Sequence, residues 1–245
     1  MESNYYRVLH EIQERHWWYV ARRRILSAVI EQLFKAGLPD GVLYDLGCGV
    51  GANLPLLERF GRTQGVDSAP EAIAFCAERG LHNVTLQDLD SLSGLQEGSA
   101  SLVLLADVIE HLDDEAPCLS AAYRLLKPGG AIVITVPAFM FLWSAADDIN
   151  HHRRRYTEPQ LRALVSRWFE LERSTYFNTF LFGSVLAGRI LQRVLSRSGQ
   201  DEARLPSPFL NSVLTKVFGA ETPLVARAYL PFGVSVLCVA RKGRS

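Results

Sequence analysis

The sequence has few cysteines, and none of them are paired by spacing. Cys48, Cys76, Cys118 and Cys238 are scattered through 245 residues and make no Cys-x-x-Cys motif. That pattern excludes a disulfide framework and a zinc-ribbon site, so no metal is expected and a reducing, cytoplasmic setting is. Net charge is missing as well, since 26 basic residues balance 26 acidic ones. Broad electrostatic capture of nucleic acid is therefore not expected. The longest uncharged apolar stretches, 174–188 and 228–240, fall short of the ~20 residues that span a bilayer. The first is still long enough to lie on a membrane surface. The N-terminus is polar and aromatic, unlike a secretory leader. No internal repeat or low-complexity segment interrupts the chain, and its length suits one large α/β domain.

Residues 42–53, Val-Leu-Tyr-Asp-Leu-Gly-Cys-Gly-Val-Gly-Ala-Asn, carry the strongest signal. An apolar strand ends at Asp45 and meets Gly47, Gly49 and Gly51 ahead of an apolar helical segment. Glycines at this spacing let the backbone approach a ligand, and the following helix points free N–H groups at it. Gly47-x-Gly49-x-x-Ala52 also fits a dinucleotide fingerprint. A second short strand, Gln-Gly-Val-Asp-Ser, ends in Asp67, which suits the ribose of either NAD or S-adenosylmethionine. Asp45 favours the second ligand, because a carboxylate there would repel a pyrophosphate and attract an ammonium group.

Apolar periodicity predicts one or two helices over 5–36, then strands at 42–46, 63–67, 83–87, 101–106 and 131–136. Helices are predicted at 52–60, 70–79 and 113–126. Thr157 and Gln160 read as a capping box opening a helix to about Phe169. A strand at 170–176, two apolar helical stretches within 177–230 and a last strand at 233–240 complete the chain. Alternating strands and helices imply a doubly wound α/β sheet. The expected division is a single domain: an N-terminal helical cap (1–40), a cofactor-binding core (41–176) with an active-site loop at 137–156, a helical insertion (177–230), and the last strand and tail (231–245).

Further motifs stand in order: Ala-Asp107-Val-Ile-Glu110-His111-Leu and Leu126-Lys-Pro-Gly-Gly130. With Asp-Leu-Gly-Cys-Gly-Val-Gly and Gly-Val-Asp they make residues 40–137 resemble the class I S-adenosylmethionine-dependent methyltransferases. The resemblance implies a Rossmann-like, seven-stranded, mostly parallel sheet whose last strand is antiparallel. It implies a cofactor site made of Asp45, Gly47, Cys48, Gly49, Gly51, Asn53, Asp67, Ser68, Asp88, Leu89 and Asp107. Within it Asp45 and Gly47 lie near the methionine moiety, Asp67 on the ribose and Asp88 toward the adenine amino group, with Asp90 as its competitor.

His-Trp17-Trp18-Tyr-Val-Ala-Arg-Arg-Arg and Trp143-Ser-Ala-Ala-Asp147-Asp-Ile-Asn-His-His152-Arg-Arg154-Arg155-Tyr156 resemble a bacterial and archaeal subgroup of these enzymes. That subgroup is linked with small molecules, glycans and lipid-linked sugars. The implied substrate residues are Trp17, Trp18, Trp143, Asp147, Arg154, Arg155 and Tyr156. An imidazole can act as general base near neutral pH, so His111 and His152 are the candidate catalytic residues. The bland reading is that Glu110 and His111 only start a helix. Arg154 and Arg155, joined by Arg22 and Arg23, would suit an anionic acceptor. The alternative is that they brace the loop, leaving Phe139, Phe141 and Trp143 to hold a flat, uncharged one. Trp17 and Trp18 would meet the sulfonium by cation–π contact. The expected activity is methyl transfer to a small-molecule, glycan or lipid-linked acceptor, most readily on oxygen, with peripheral membrane contact. An NAD-dependent oxidoreductase and a catalytically silent cofactor-binding protein are the competing readings.

Overall fold

The computed structural model describes residues 3–194 and 205–244; part of the insertion expected at 177–230 lies outside them. Two helices come first, α1 (Ser3–Ile12) and α2 (Trp17–Lys35). They are followed by β1 (Val42–Leu46), α3 (Leu54–Leu57), β2 (Thr63–Asp67), α4 (Pro70–Glu78), β3 (Val84–Leu86) and β4 (Ala100–Ala106). Then come α5 (Ala116–Leu125), β5 (Leu126–Pro137), α6 (Ala145–Ile149), α7 (Glu158–Val165) and β6 (Glu170–Phe177). The chain closes with α8 (Phe182–Val194), α9 (Pro208–Gly219), α10 (Thr222–Val225) and β7 (Ser235–Arg241).

The seven strands form one sheet in the order β3-β2-β1-β4-β5-β7-β6. β7 is antiparallel to both neighbours, and the other pairings are parallel. Both faces of the sheet are covered, so its strands are apolar nearly throughout. Alternate residues supply the two cores: Val103 and Leu105 face α5 and α7, while Leu102 and Leu104 face α2 and α9. The N-terminal helix α2 is thus a full structural layer, with Ile25, Leu26, Val29 and Ile30 buried against the sheet.

The register sets the functional edge. Asp45 of β1 stands beside Gly65 of β2 and Leu104 of β4, so the three strands end level. Strand order reverses between β1 and β4, which is where a doubly wound sheet opens a crevice at its carboxyl edge.

Several predicted boundaries shift. The helix expected at 52–60 closes only over Leu54–Leu57, because the glycine turn runs through Asn53 and the chain turns again after Phe60. The helix expected at 113–126 starts at Ala116, and α7 ends at Val165, not Phe169. β5 begins at Leu126, where Lys127–Gly130 continue as an irregular paired strand next to Ala100. The capping box on Thr157 and Gln160 forms as expected.

Candidate active site

The carboxyl edge of the sheet opens into a cavity of about 560 Å³. The glycine loop forms one side of it, with Gly47, Cys48, Gly49, Ala52 and Asn53 in the wall. Gly49 has φ of +54°, and a Cβ built on it meets nothing within 4 Å, so its backbone faces open space. Gly51 serves another purpose: a Cβ there would lie 2.5 Å from Leu81 Cδ1 and 3.0 Å from Cys76 Sγ. It lets the loop pack on the segment after α4 and does not line the cavity.

Asp67 accepts hydrogen bonds from the Gly49 amide at 2.8 Å and the Ala69 amide at 2.9 Å. Asp45 is fully buried; Asn53 Nδ2 donates to its Oδ2 at 3.4 Å, while Oδ1 has no partner. Burial pushes its pKa up to about 7. Asp67, Ser68, Asp88 and Leu89 lie outside the cavity. Ser68 and Asp88 are exposed and Leu89 is part of the hydrophobic core. Tyr6 on α1 lies near Asp67, so the first helix covers this end of the site.

Asp107 stands at the end of β4 with φ of +60°. It accepts from Thr135 Oγ1 at 3.2 Å and forms an ion pair with Arg22 of α2. The Arg22 guanidinium also lies 4.6 Å from the centroid of the Trp18 ring. The Arg22 guanidinium thus already covers a face of the Trp18 ring. Burial lowers the Arg22 pKa to about 10. His16, Trp17 and Trp18 form the N-terminal wall of the cavity.

A short helical turn at Ile109–His111 brings Glu110 and His111 to the cavity floor. Neither oxygen of the buried Glu110 carboxyl has a partner, and burial raises its pKa to about 8. Burial, then the neighbouring His152, lowers the His111 pKa to about 3. The two imidazole centroids are 4.7 Å apart. One donor atom each from Glu110, His111 and His152 lies within 4.8 Å of the other two. Sequence reasoning had treated Glu110 as a helix-start residue; its signal was the apolar company it keeps in Val-Ile-Glu-His-Leu.

The loop after β5 is chiefly a brace. Asp147 accepts from Arg155 Nε at 2.8 Å and Nη2 at 2.9 Å, from His152 Nδ1 at 2.8 Å and from the Ser144 amide at 2.8 Å. Arg155 also donates to the Ala138 carbonyl at 3.1 Å. Arg154 donates to Glu115 Oε1 at 2.7 Å and to the Leu112 and Asp113 carbonyls at 3.1 and 2.8 Å. The Tyr156 hydroxyl donates to Glu115 at 2.6 Å. Trp143 Nε1 donates to Asp148 at 3.0 Å. Of the loop residues expected to touch substrate, only Arg155 lines the cavity, and it is paired. Trp143, Asp147, Arg154 and Tyr156 do not. Both guanidiniums are satisfied within the protein, which favours the alternative that Arg154 and Arg155 brace the loop.

Residues 44–134 match the family model described as a methyltransferase domain. That match, with the fold, supports a class I S-adenosylmethionine-dependent methyltransferase domain. The sequence is similar to the ubiquinone biosynthesis O-methyltransferase of Xanthomonas campestris pv. campestris (strain B100), 27% identical over 156 residues. That match covers 56% of this chain and 65% of the relative, so the chain spans less than two thirds of the curated relative's length. It is also 27% identical over 138 residues to the 2-methyl-6-phytyl-1,4-hydroquinone methyltransferase of Synechocystis, covering 54% of this chain and 41% of that one. A crystal structure of a SAM dependent methyltransferase from Archaeoglobus fulgidus shares the fold, with a TM-score of 0.55 and 20% identity over 90% of this chain and 94% of that one. So does Haemonchus contortus phosphoethanolamine N-methyltransferase 2 in complex with S-adenosyl-L-methionine, with a TM-score of 0.54 and 18% identity over 88% of this chain and 51% of that one. The cofactor of the methyltransferase domain is S-adenosylmethionine. The residues present fit it: Gly49 leaves backbone space and a buried oxygen of Asp45 lacks a partner, while Asp67 at the end of β2 holds the glycine loop through the Gly49 amide. The dinucleotide reading is not favoured.

Proposed function

We propose that the protein methylates a hydroxyl group of an uncharged, flat or apolar small molecule. The observation that carries this reading is one cavity shared by the glycine loop and the Glu110, His111 and His152 cluster. Donor and acceptor can therefore meet inside a single enclosure, and holding them aligned supplies much of the rate. When bound, S-adenosylmethionine supplies an activated methyl group on a sulfonium. Gly47, Gly49, Asn53 and Asp45 would hold its methionine part, and Asp67 its ribose. Asp107 is held by Arg22 and Thr135, which stiffens the strand end between donor and acceptor.

Proton removal from the acceptor falls to the cluster on the floor. Asp147 fixes the His152 ring through Nδ1, leaving the other nitrogen to face its neighbours. His111 stays uncharged at neutral pH because it is buried. His16, Trp17 and Trp18 offer flat apolar walls, and Arg22, Arg154 and Arg155 are all paired with carboxylates. An uncharged aromatic acceptor fits this lining better than an anionic one. The curated relatives named for ubiquinone and hydroquinone methylation support the same acceptor class. No helix among the described residues is long and apolar enough to cross a membrane. Exposed Ile190, Leu191, Leu205 and Phe209 adjoin cavity residues of α8 and the segment before α9, which supports an acceptor drawn from a lipid surface.

The test is a panel of catechols and hydroquinones incubated with S-adenosylmethionine. S-adenosylhomocysteine and a methoxy product should appear in equal amounts by mass spectrometry. Cofactor binding with product only from amine or carbon acceptors would overturn the oxygen assignment.

A further inference from the structure

We propose that Glu110, His111 and His152 bind a divalent transition-metal cation that receives the acceptor oxygen. This rests on the methyl-transfer reading above. Four features of the cluster point the same way. The residue types are two imidazoles and a carboxylate, a donor set that suits Zn²⁺ and its first-row neighbours better than Mg²⁺. Their donor atoms already lie within 4.8 Å of one another. Ligands of a tetrahedral zinc, each ~2.0–2.2 Å from the ion, are roughly 3.5 Å apart, so small side-chain rotations would close the set.

The remaining features concern what surrounds the donors. Metal-binding histidines usually donate their second ring N–H to a carboxylate or a backbone carbonyl, which fixes the tautomer and turns the other nitrogen to the ion. One of the two histidines here does so: His152 Nδ1 donates to Asp147 Oδ1 at 2.8 Å. Asp147 is itself clamped by Arg155. Finally, Glu110 is 0% exposed, yet both of its carboxyl oxygens lack a hydrogen-bond partner. Buried carboxyl oxygens without partners are costly unless something fills the gap. A cation beside two neutral imidazoles would fill it.

Three protein ligands leave a position open toward the cavity, as in catalytic zinc sites. An acceptor hydroxyl bound there loses its O–H bond more readily, and the proton leaves to solvent. The oxygen electron pair then forms the new O–CH₃ bond as the S–CH₃ bond breaks, and the sulfur keeps that bond's electrons as a neutral thioether. Asp147 acts as a positioning residue for His152.

The experiment strips the full-length protein with a chelator and titrates it with Zn²⁺, and separately with Co²⁺, whose visible bands report nitrogen and oxygen ligation. The expected result is one equivalent bound, with chelator-sensitive methyl transfer restored by the metal. Glu110→Gln and His152→Gln should each weaken Zn²⁺ binding at least tenfold, and Asp147→Asn should weaken it roughly 10–100-fold. If a variant fails to fold by circular dichroism, wild-type stoichiometry and the Co²⁺ spectrum still decide. No stoichiometric binding in wild type, or equal affinity in folded variants, overturns the proposal. S-adenosylhomocysteine affinity, measured in parallel on stripped protein, keeps the two readings apart. Cofactor binding with no metal binding sinks the cation alone, whereas absent cofactor binding sinks the methyl-transfer reading whatever the metal result.

Discussion

Asp147 and Glu110 are both buried carboxylates near the floor of one cavity, and their surroundings are opposite. Asp147 is saturated: Arg155, His152 and the Ser144 amide all donate to it. Burial opposes its ionisation, but the hydrogen bonds from His152 and Arg155 outweigh burial and hold its pKa well below the usual carboxylate range. Glu110 receives no such bonds, and burial carries it up to about 8. The loop after β5 therefore spends its polar groups on holding itself in place, while the turn after β4 leaves the Glu110 carboxyl available. An abundance of charged residues in a loop marks architecture as readily as chemistry. An unsatisfied buried group is the better guide to a site.

The largest expected effect would come from the unsatisfied side. Glu110→Gln should lower methyl transfer by ~10²–10⁴-fold if the group handles the acceptor proton or its ion. S-adenosylhomocysteine affinity should stay near wild type in calorimetry. Undiminished turnover would erase the contrast between the two carboxylates.

On the satisfied side, Asp147→Ala would leave Arg155 buried without its partner, at a cost of about 3–5 kcal/mol in denaturant unfolding. A loss below ~1 kcal/mol would show that the loop is not held by this pair.

Asp45 tests the same logic at the cofactor end. Its folded pKa is raised to about 7 by burial, so the folded state favours the protonated form. The stability this gives is complete below the unfolded value near 4 and is lost as pH rises through about 7. Asp45→Asn should therefore match wild type at the acid end and exceed it above neutrality, by on the order of 2–4 kcal/mol in the absence of cofactor. A stability difference that does not change with pH would place a partner on Asp45.

The smallest effect should come from Arg154→Ala. Its pair with Glu115 is partly exposed, so unfolding should shift by only ~0–1 kcal/mol. The acceptor KM should not change. A rise in that KM, sensitive to salt, would return Arg154 to the substrate site and break the division between brace and cluster.

How legible the protein was from its residues depended on the range of the interactions involved. Strand β1, the glycine loop, Asp67 and the strand–helix alternation could be read directly. Their signals are local: apolar runs, glycine spacing and an acid at a strand end. Boundaries slipped where local and distant forces compete, as at α3, where the glycine turn consumes residues that helical spacing had claimed. The Thr157 capping box was read correctly because its partners are three residues apart.

Sequence left the charged loop open between substrate contact and bracing because its partners are remote. Arg154 meets Glu115 across 39 positions, and Arg22 meets Asp107 across 85. No spacing rule announces such pairs. The sequence by itself determined the sheet, its switch point and the donor loop, because hydrophobic period and backbone freedom act between near neighbours. Which carboxylates would be neutralised and which left bare was decided only when β4, the loop after β5 and helix α2 converged. Burial and ion pairing are properties of three-dimensional neighbourhoods, and their balance separates Glu110 from Asp147.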